Sequence, residues 1–295
     1  MGWRKFFNEL LVVSPFLLVG AITVQARTRV ESYEPPRYSA SMHQKVAAYC
    51  EPVRLVEDAV ARGFAYVNEH EIRQIGETWR NMGQDGSLQP LLPETPDDST
   101  REGIKGQVRK AADNLASALQ YIAKRQIKEG NAYGAAKDAI LSIEAIQSFK
   151  YSDLYSVGML SVRQNGAFDL LEAVSPTLTP AQKAEVQSRL LAIRNNEKPL
   201  ADLVMAKQKV LLANNVPGGR SASTRQLDLM LQMANAIDGG STTEALAPAL
   251  EELRRSAKAD DVNSFLPEFR FAFNARRNVS RSWIQVHQAL NRPNA

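Results

Sequence analysis

Cysteine is almost missing from this sequence. Cys50 stands alone, so no intramolecular disulfide staples the fold and its stability must come from packing. Histidine is nearly as scarce: His43, His70 and His287 lie far apart, without the spaced Cys and His sets that bind zinc. Few windows alternate with period two, which argues against a fold built on sheets. A surplus of one charge is lacking too, since 36 Lys and Arg against 32 Asp and Glu leave only +4. That is small for a dedicated nucleic-acid binder, and no specific nucleic-acid binding is expected. What remains is 295 residues with 44% apolar content, enough for a substantial core.

A single long apolar run is present. Arg4 and Lys5 precede the uncharged stretch LLVVSPFLLVGAITVQA, residues 10–26, and Arg27 and Arg29 follow it. As a helix these 17 residues reach about 25 Å, the lower edge of what spans a bilayer core. Val24, Gln25 and Ala26 supply compact residues of the kind a signal peptidase reads, which would give cleavage after Ala26. The run is longer than an ordinary signal core, and Trp3, Phe6 and Phe7 form an aromatic collar before it. The expectation is a single-pass anchor in a bacterial cell membrane, with residues 1–9 inside and the remainder extracytoplasmic. A secreted or periplasmic product is the alternative.

Residues 27–41 hold Pro35-Pro36 without periodicity and read as an extended spacer. N-terminal helices are expected over 42–82. A loop over 83–100 follows, where GQDGSLQPLLPETPDDST carries three prolines and two glycines. The main helical domain is then 101–295. Ile104, Val108, Ala111, Leu115, Leu119 and Ile122 recur every three or four residues, and Glu129-Gly130-Asn131 closes that helix. Ala136, Ile140, Ile143 and Ile146 repeat the period, so the two make a hairpin. A third helix is predicted over Leu154–Val174. A fourth is capped by Thr179-Pro180-Ala181-Gln182, a further one covers 199–213, and Asn214 to Gly219 interrupts the pattern. Helices resume after Ser223, after Thr243 and near Val279. Phe269-Arg270-Phe271-Ala272-Phe273 fits a strand face, but Phe269 and Phe273 are also four apart, which fits a helix. The fold class is therefore all-α: antiparallel hairpins forming a bundle or a short irregular solenoid behind one N-terminal helix.

The block from Ile122 to about Arg194 combines a Gly-started Ala-rich helix, a long apolar helix ending before Ser175-Pro176, and a Thr-Pro-capped helix. It resembles the helical region of N-terminally anchored, uncharacterised bacterial proteins of the planctomycete kind. The resemblance implies topology and anchoring, and no activity or functional residue.

Chemistry-bearing motifs fail on inspection. His70-Glu71-Ile72-Arg73-Gln74 begins like a helical zinc site but places an amide where the second ligand belongs. His43 and Cys50 share a face seven residues apart with nothing to form an oxyanion hole, and Gly218-Gly219-Arg220-Ser221 lacks the lysine of a phosphate loop. No catalytic, cofactor-binding or metal-ligating residue is assigned. Two surfaces remain. Arg163-Gln164-Asn165 reads as an exposed helix edge, or else as a triplet lining a groove or bonding to neighbouring helices. Residues 254–295 hold eight cations (Arg254, Arg255, Lys258, Arg270, Arg276, Arg277, Arg281, Arg292) against Asp260, Asp261 and Glu268. With aromatics turned inward this is a solvated basic face, and with them interleaved it is a contact for an anionic partner. The expected partners are the membrane, through residues 10–26, and a protein or an anionic envelope component. The expected function is a structural or interaction module, with an envelope-polymer enzyme using unrecognised carboxylates as the alternative.

Overall fold

The computed structural model describes residues 56, 60–63, 68–84, 99–150, 153–205, 220–239, 243–256 and 265–292. The apolar segment 10–26, the spacer, Cys50 with His43, the Pro-rich interior of the first long loop and the Asn214–Gly219 interruption lie outside these. Among the described residues the regular structure is helical, without a strand. No described helix is long and apolar enough to cross a membrane.

In chain order the α-helices are α1 (Glu69–Gln84), α2 (Ser99–Lys128), α3 (Ala132–Lys150), α4 (Leu154–Val174), α5 (Pro180–Asn195), α6 (Arg220–Asp238), α7 (Thr243–Ser256) and α8 (Phe265–Asn291). Residues 200–205 are also helical. α1 and α2 overlap both ends of the proline-rich segment, and α8 begins well ahead of Val279 because Pro267 falls in its first turn, where a missing N–H costs nothing. The Phe269–Phe273 segment is helical.

Local chemistry sets the boundaries. Gly130 adopts φ +81°, and the Asn131 N–H bonds back to the Gln126 carbonyl at 2.8 Å, which closes α2 with a left-handed cap. The Asn131 side chain then accepts from Gly134 N at 3.0 Å and opens α3. Asp153 accepts from Ser156 N at 2.6 Å to cap α4. Thr179 and Gln182 form the reciprocal capping box of α5, with Pro180 in the first turn.

Three buried clusters follow from the apolar stripes. The first joins Ile72, Ile75 and Trp79 of α1 to Val108, Leu115 and Leu119 of α2 and to Leu141 and Ile146 of α3. Because α1 shares this core, residues 69–84 pack with the main domain. The second joins Ile140 and Ile143 of α3, Phe168 and Leu171 of α4, Val186 and Leu190 of α5, and Trp283 and Val286 of α8. The third joins Leu154 and Val157 of α4, residues 200–205, Met230 and Met233 of α6, Leu253 of α7, and Phe269 and Phe273 of α8.

α4 sits at the centre, packing against α2, α3 and α8, and its buried residues run around most of its circumference. α2 and α3 form the expected antiparallel hairpin: Gln126 reaches Asp138 near the turn, and Gln120 reaches Ser142 farther along. The α4–α8 pair is different. A Cβ at Gly158 would meet the Phe271 ring at 2.2 Å, and the rings of Phe168 and Trp283 lie 6.1 Å apart, so both chains advance in the same direction. Gly158 is what lets the two helices approach at that point.

Candidate functional site

Among the described residues, three helices and a loop bring ionisable side chains into the interior between the second and third clusters. Lys150, the last residue of α3, is 1% exposed, and its Nζ donates to Gln164 Oε1 at 2.5 Å and to Glu197 Oε1 at 3.2 Å. Gln164 projects from the middle of α4, and Glu197 lies on the segment after α5. The other oxygen of Glu197 is held by Arg276 Nη1 of α8 at 2.5 Å. Asp238 ends α6 close by, accepting the Ala201 N–H at 3.1 Å. One carboxylate is thus clamped between an ammonium from the middle of the chain and a guanidinium from near its C-terminus.

The electrostatics follow from burial. Loss of hydration pushes the Lys150 ammonium down to about 8, with Arg276 repelling it and Glu197 pulling the other way. Burial opposes ionisation of Glu197 as well, but Lys150 and Arg276 outweigh it and hold this carboxyl below its ordinary value. Each partner therefore depends on the others. The neighbouring polar atoms are not all satisfied: Ser161 Oγ and Asn165 Oδ1 on α4 and Gln147 Oε1 on α3 are buried without a hydrogen-bond partner.

Around this node other carboxylates are committed to arginines on other helices, whereas Asp238 has no such partner among the described residues and burial pushes its carboxyl above the ordinary value. Arg73 of α1 grips Asp138 of α3 at 2.9 Å through both Nε and Nη2, and Gln126 adds a bond to the same carboxylate at 2.8 Å. The pair holds the Arg73 guanidinium above its ordinary pKa, chiefly through the hydrogen bond to Asp138. Arg189 of α5 binds both oxygens of Glu144 of α3 at 3.0 and 2.5 Å. Arg163 of α4 binds Asp113 of α2 at 2.6 and 2.9 Å, and Arg109 joins Asp153 to Ser156. These forked contacts fix the rotation of each helix about its axis.

The sequence-level candidates divide accordingly. Arg163-Gln164-Asn165 bonds to neighbouring helices: Arg163 crosses to α2 and Gln164 is buried, so an exposed edge does not describe it. The phenylalanines 269 and 273 face the core with rings 5.8 Å apart, and Phe271 turns the other way onto Tyr155. Arg276 is interior, Arg270 and Arg281 are exposed, and Arg277 between them is half-buried with its Nε out of water. His70 is exposed on α1, and no group of three or more His, Cys, Asp or Glu among the described residues is placed to hold a metal.

Lys150 and Glu197 escaped the sequence reading, which placed Arg276 only in the basic C-terminal face, although two of the three carried a signal. Lys150 continues the stripe of Ile143 and Ile146, and Arg276 continues that of Phe269 and Phe273, so each charge falls on a core face. Glu197 is in a connection and carries no periodicity.

All-helical packing with an interior ion triad defines the class of this chain no further than that. Comparison with family models, curated proteins and solved structures gives no match.

Proposed function

We propose that this chain is a non-enzymatic interaction module: a bundle of helical hairpins held at a bacterial membrane by residues 10–26, with the domain outside the cytoplasm. The observation that supports this reading best is the fate of the buried charges. Asp138, Glu144, Asp153 and Glu197 each carry an arginine or lysine from another helix, so the interior polar groups act as ties between elements. A glycosidase-type carboxylate pair requires one acid free to hold a proton and one free to receive a charge. A carboxylate clamped by a guanidinium does neither. The alternative of an envelope-polymer enzyme therefore draws nothing from these residues. The return of α8 onto α4 favours a bundle over a solenoid, in which each unit touches only its neighbours.

Membrane fractionation with carbonate extraction, read together with intact mass, tests the anchoring. Full-length protein resisting extraction is the expected result. A soluble species beginning at Arg27 would replace the anchored reading with a secreted one.

A further inference from the structure

Among the described residues, the solvent-side arginines of α8 lack the carboxylate partners that most arginines of α1 to α5 have; Arg194 of α5 instead lies over the Trp283 ring at 5.2 Å. Arg73, Arg80, Arg109, Arg125, Arg163 and Arg189 on the earlier helices all pair with carboxylates. From Phe269 to Arg292 there are five arginines and no Asp or Glu. Arg276 is spent on Glu197, and Arg292 lies beyond the helix. Arg270, Arg277 and Arg281 make no ion pair among the described residues, and Arg277 Nε, shielded from water, lacks an acceptor.

Spacing puts these three on one line. Positions 270, 277 and 281 differ by seven and four residues, so they fall within a narrow arc of the helix and span about 16 Å along it. Asn274 and Gln285 are exposed on the same arc and present amide donors and acceptors between and beyond the charges. Ile284 is the exposed large apolar side chain of that stretch, at 55%.

We infer that the outer face of α8 is a docking strip for an extended phosphate-bearing polymer. Three guanidiniums in a row match a chain with repeating anions, and each fork fits a phosphate in two-point contact. A compact monoanion engages only one of them. A bilayer surface fits less well, because helices that lie in the interface carry a row of apolar residues and here the apolar side of α8 is consumed by the core. The interleaved amides suit a ligand with hydroxyls between its charges. The inference deepens the interaction reading and rests on it for where such a polymer would be met, while binding itself depends only on the strip.

The test uses the full-length chain, fluorescently labelled, in nonionic detergent. It is titrated with long-chain polyphosphate, with orthophosphate at equal phosphorus, and with a single-stranded oligonucleotide of equal charge. The expected result is saturable binding of polyphosphate, none of orthophosphate, and weaker binding of the oligonucleotide. Three released contacts should lower affinity roughly tenfold or more between 50 and 200 mM salt, by counterion release. The triple variant R270Q/R277Q/R281Q should lose binding with an unchanged melting curve, and Arg255→Gln should bind as the parent does. A triple variant that binds polyphosphate normally overturns the strip. Orthophosphate binding as well as polyphosphate overturns the polymer, and tighter oligonucleotide binding replaces it with a nucleic acid. A chain found cleaved after Ala26 would revise the anchoring alone.

Discussion

Lys150 and Glu197 are both needed by the interior triad, but not equally. Removing the carboxylate leaves an ammonium and a guanidinium facing each other out of water. Glu197→Gln should therefore cost about 3 kcal/mol in urea unfolding, the usual penalty for an orphaned buried charge. Removing the lysine takes away the most desolvated member and leaves Glu197 with Arg276, so Lys150→Met should stay within about 1 kcal/mol of the parent. Equal losses would show that Lys150 contributes more than it costs. The pH dependence gives a separate check. Unfolded, the ammonium keeps its proton up to about 10.5; folded, it releases it near 8, so between those values the unfolded chain binds more protons. Stability from this group rises with pH across that window, and Lys150→Met should abolish the rise. Glu197 acts at the other end, where its contribution is present above 4.5 and fades as pH falls through its lower folded value.

Gly158 makes a related point about close approach. Its hypothetical Cβ lies 2.2 Å from the Phe271 ring, so Gly158→Ala must push that ring or part α4 from α8, at about 1–3 kcal/mol by thermal unfolding. A loss below ~0.5 kcal/mol would mean that Phe271, only half-buried, simply swings outward.

Among the elements, α5 carries the clearest local signature. Thr179→Ala deletes the side chain that accepts Gln182 N at 3.3 Å and should cost about 1 kcal/mol, read by chemical denaturation. That cap was legible in four consecutive residues, as were the stripes of α2 and α3 and the limits of α4, because all are short-range patterns. The start of α8 was not, since Pro267 reads as a breaker until it is known to stand in a first turn. The ion triad was hidden for another reason. A lysine at a helix C-terminus is ordinary dipole chemistry, and nothing near Lys150 announces a carboxylate partner that lies 47 residues away. The inward Arg276 and outward Arg277 are neighbours in sequence, so only the phase of the helix separates a structural charge from a surface one.

At the scale of the molecule, the parallel pairing of α4 and α8 matters most. α8 supplies Phe269 and Phe273 to one cluster and Trp283 and Val286 to another, and it donates Arg276 to the triad between them. A chain ending at residue 264 should therefore lose cooperative unfolding and near-UV circular dichroism while keeping much of its helical signal, the pattern of a compact but unpacked state. A sharp melt in that truncated chain would show that α1–α7 form a core of their own.

The same pairing sets an order in time. Two parallel helices about a hundred residues apart cannot meet until the second has been made, so a nascent chain carries an open seam along α4 from the completion of that helix until α8 emerges. If the chain leaves the cytoplasm through residues 10–26, as proposed, that delay is useful: the part already built stays pliable enough to thread through a membrane, and α8 closes the seam last.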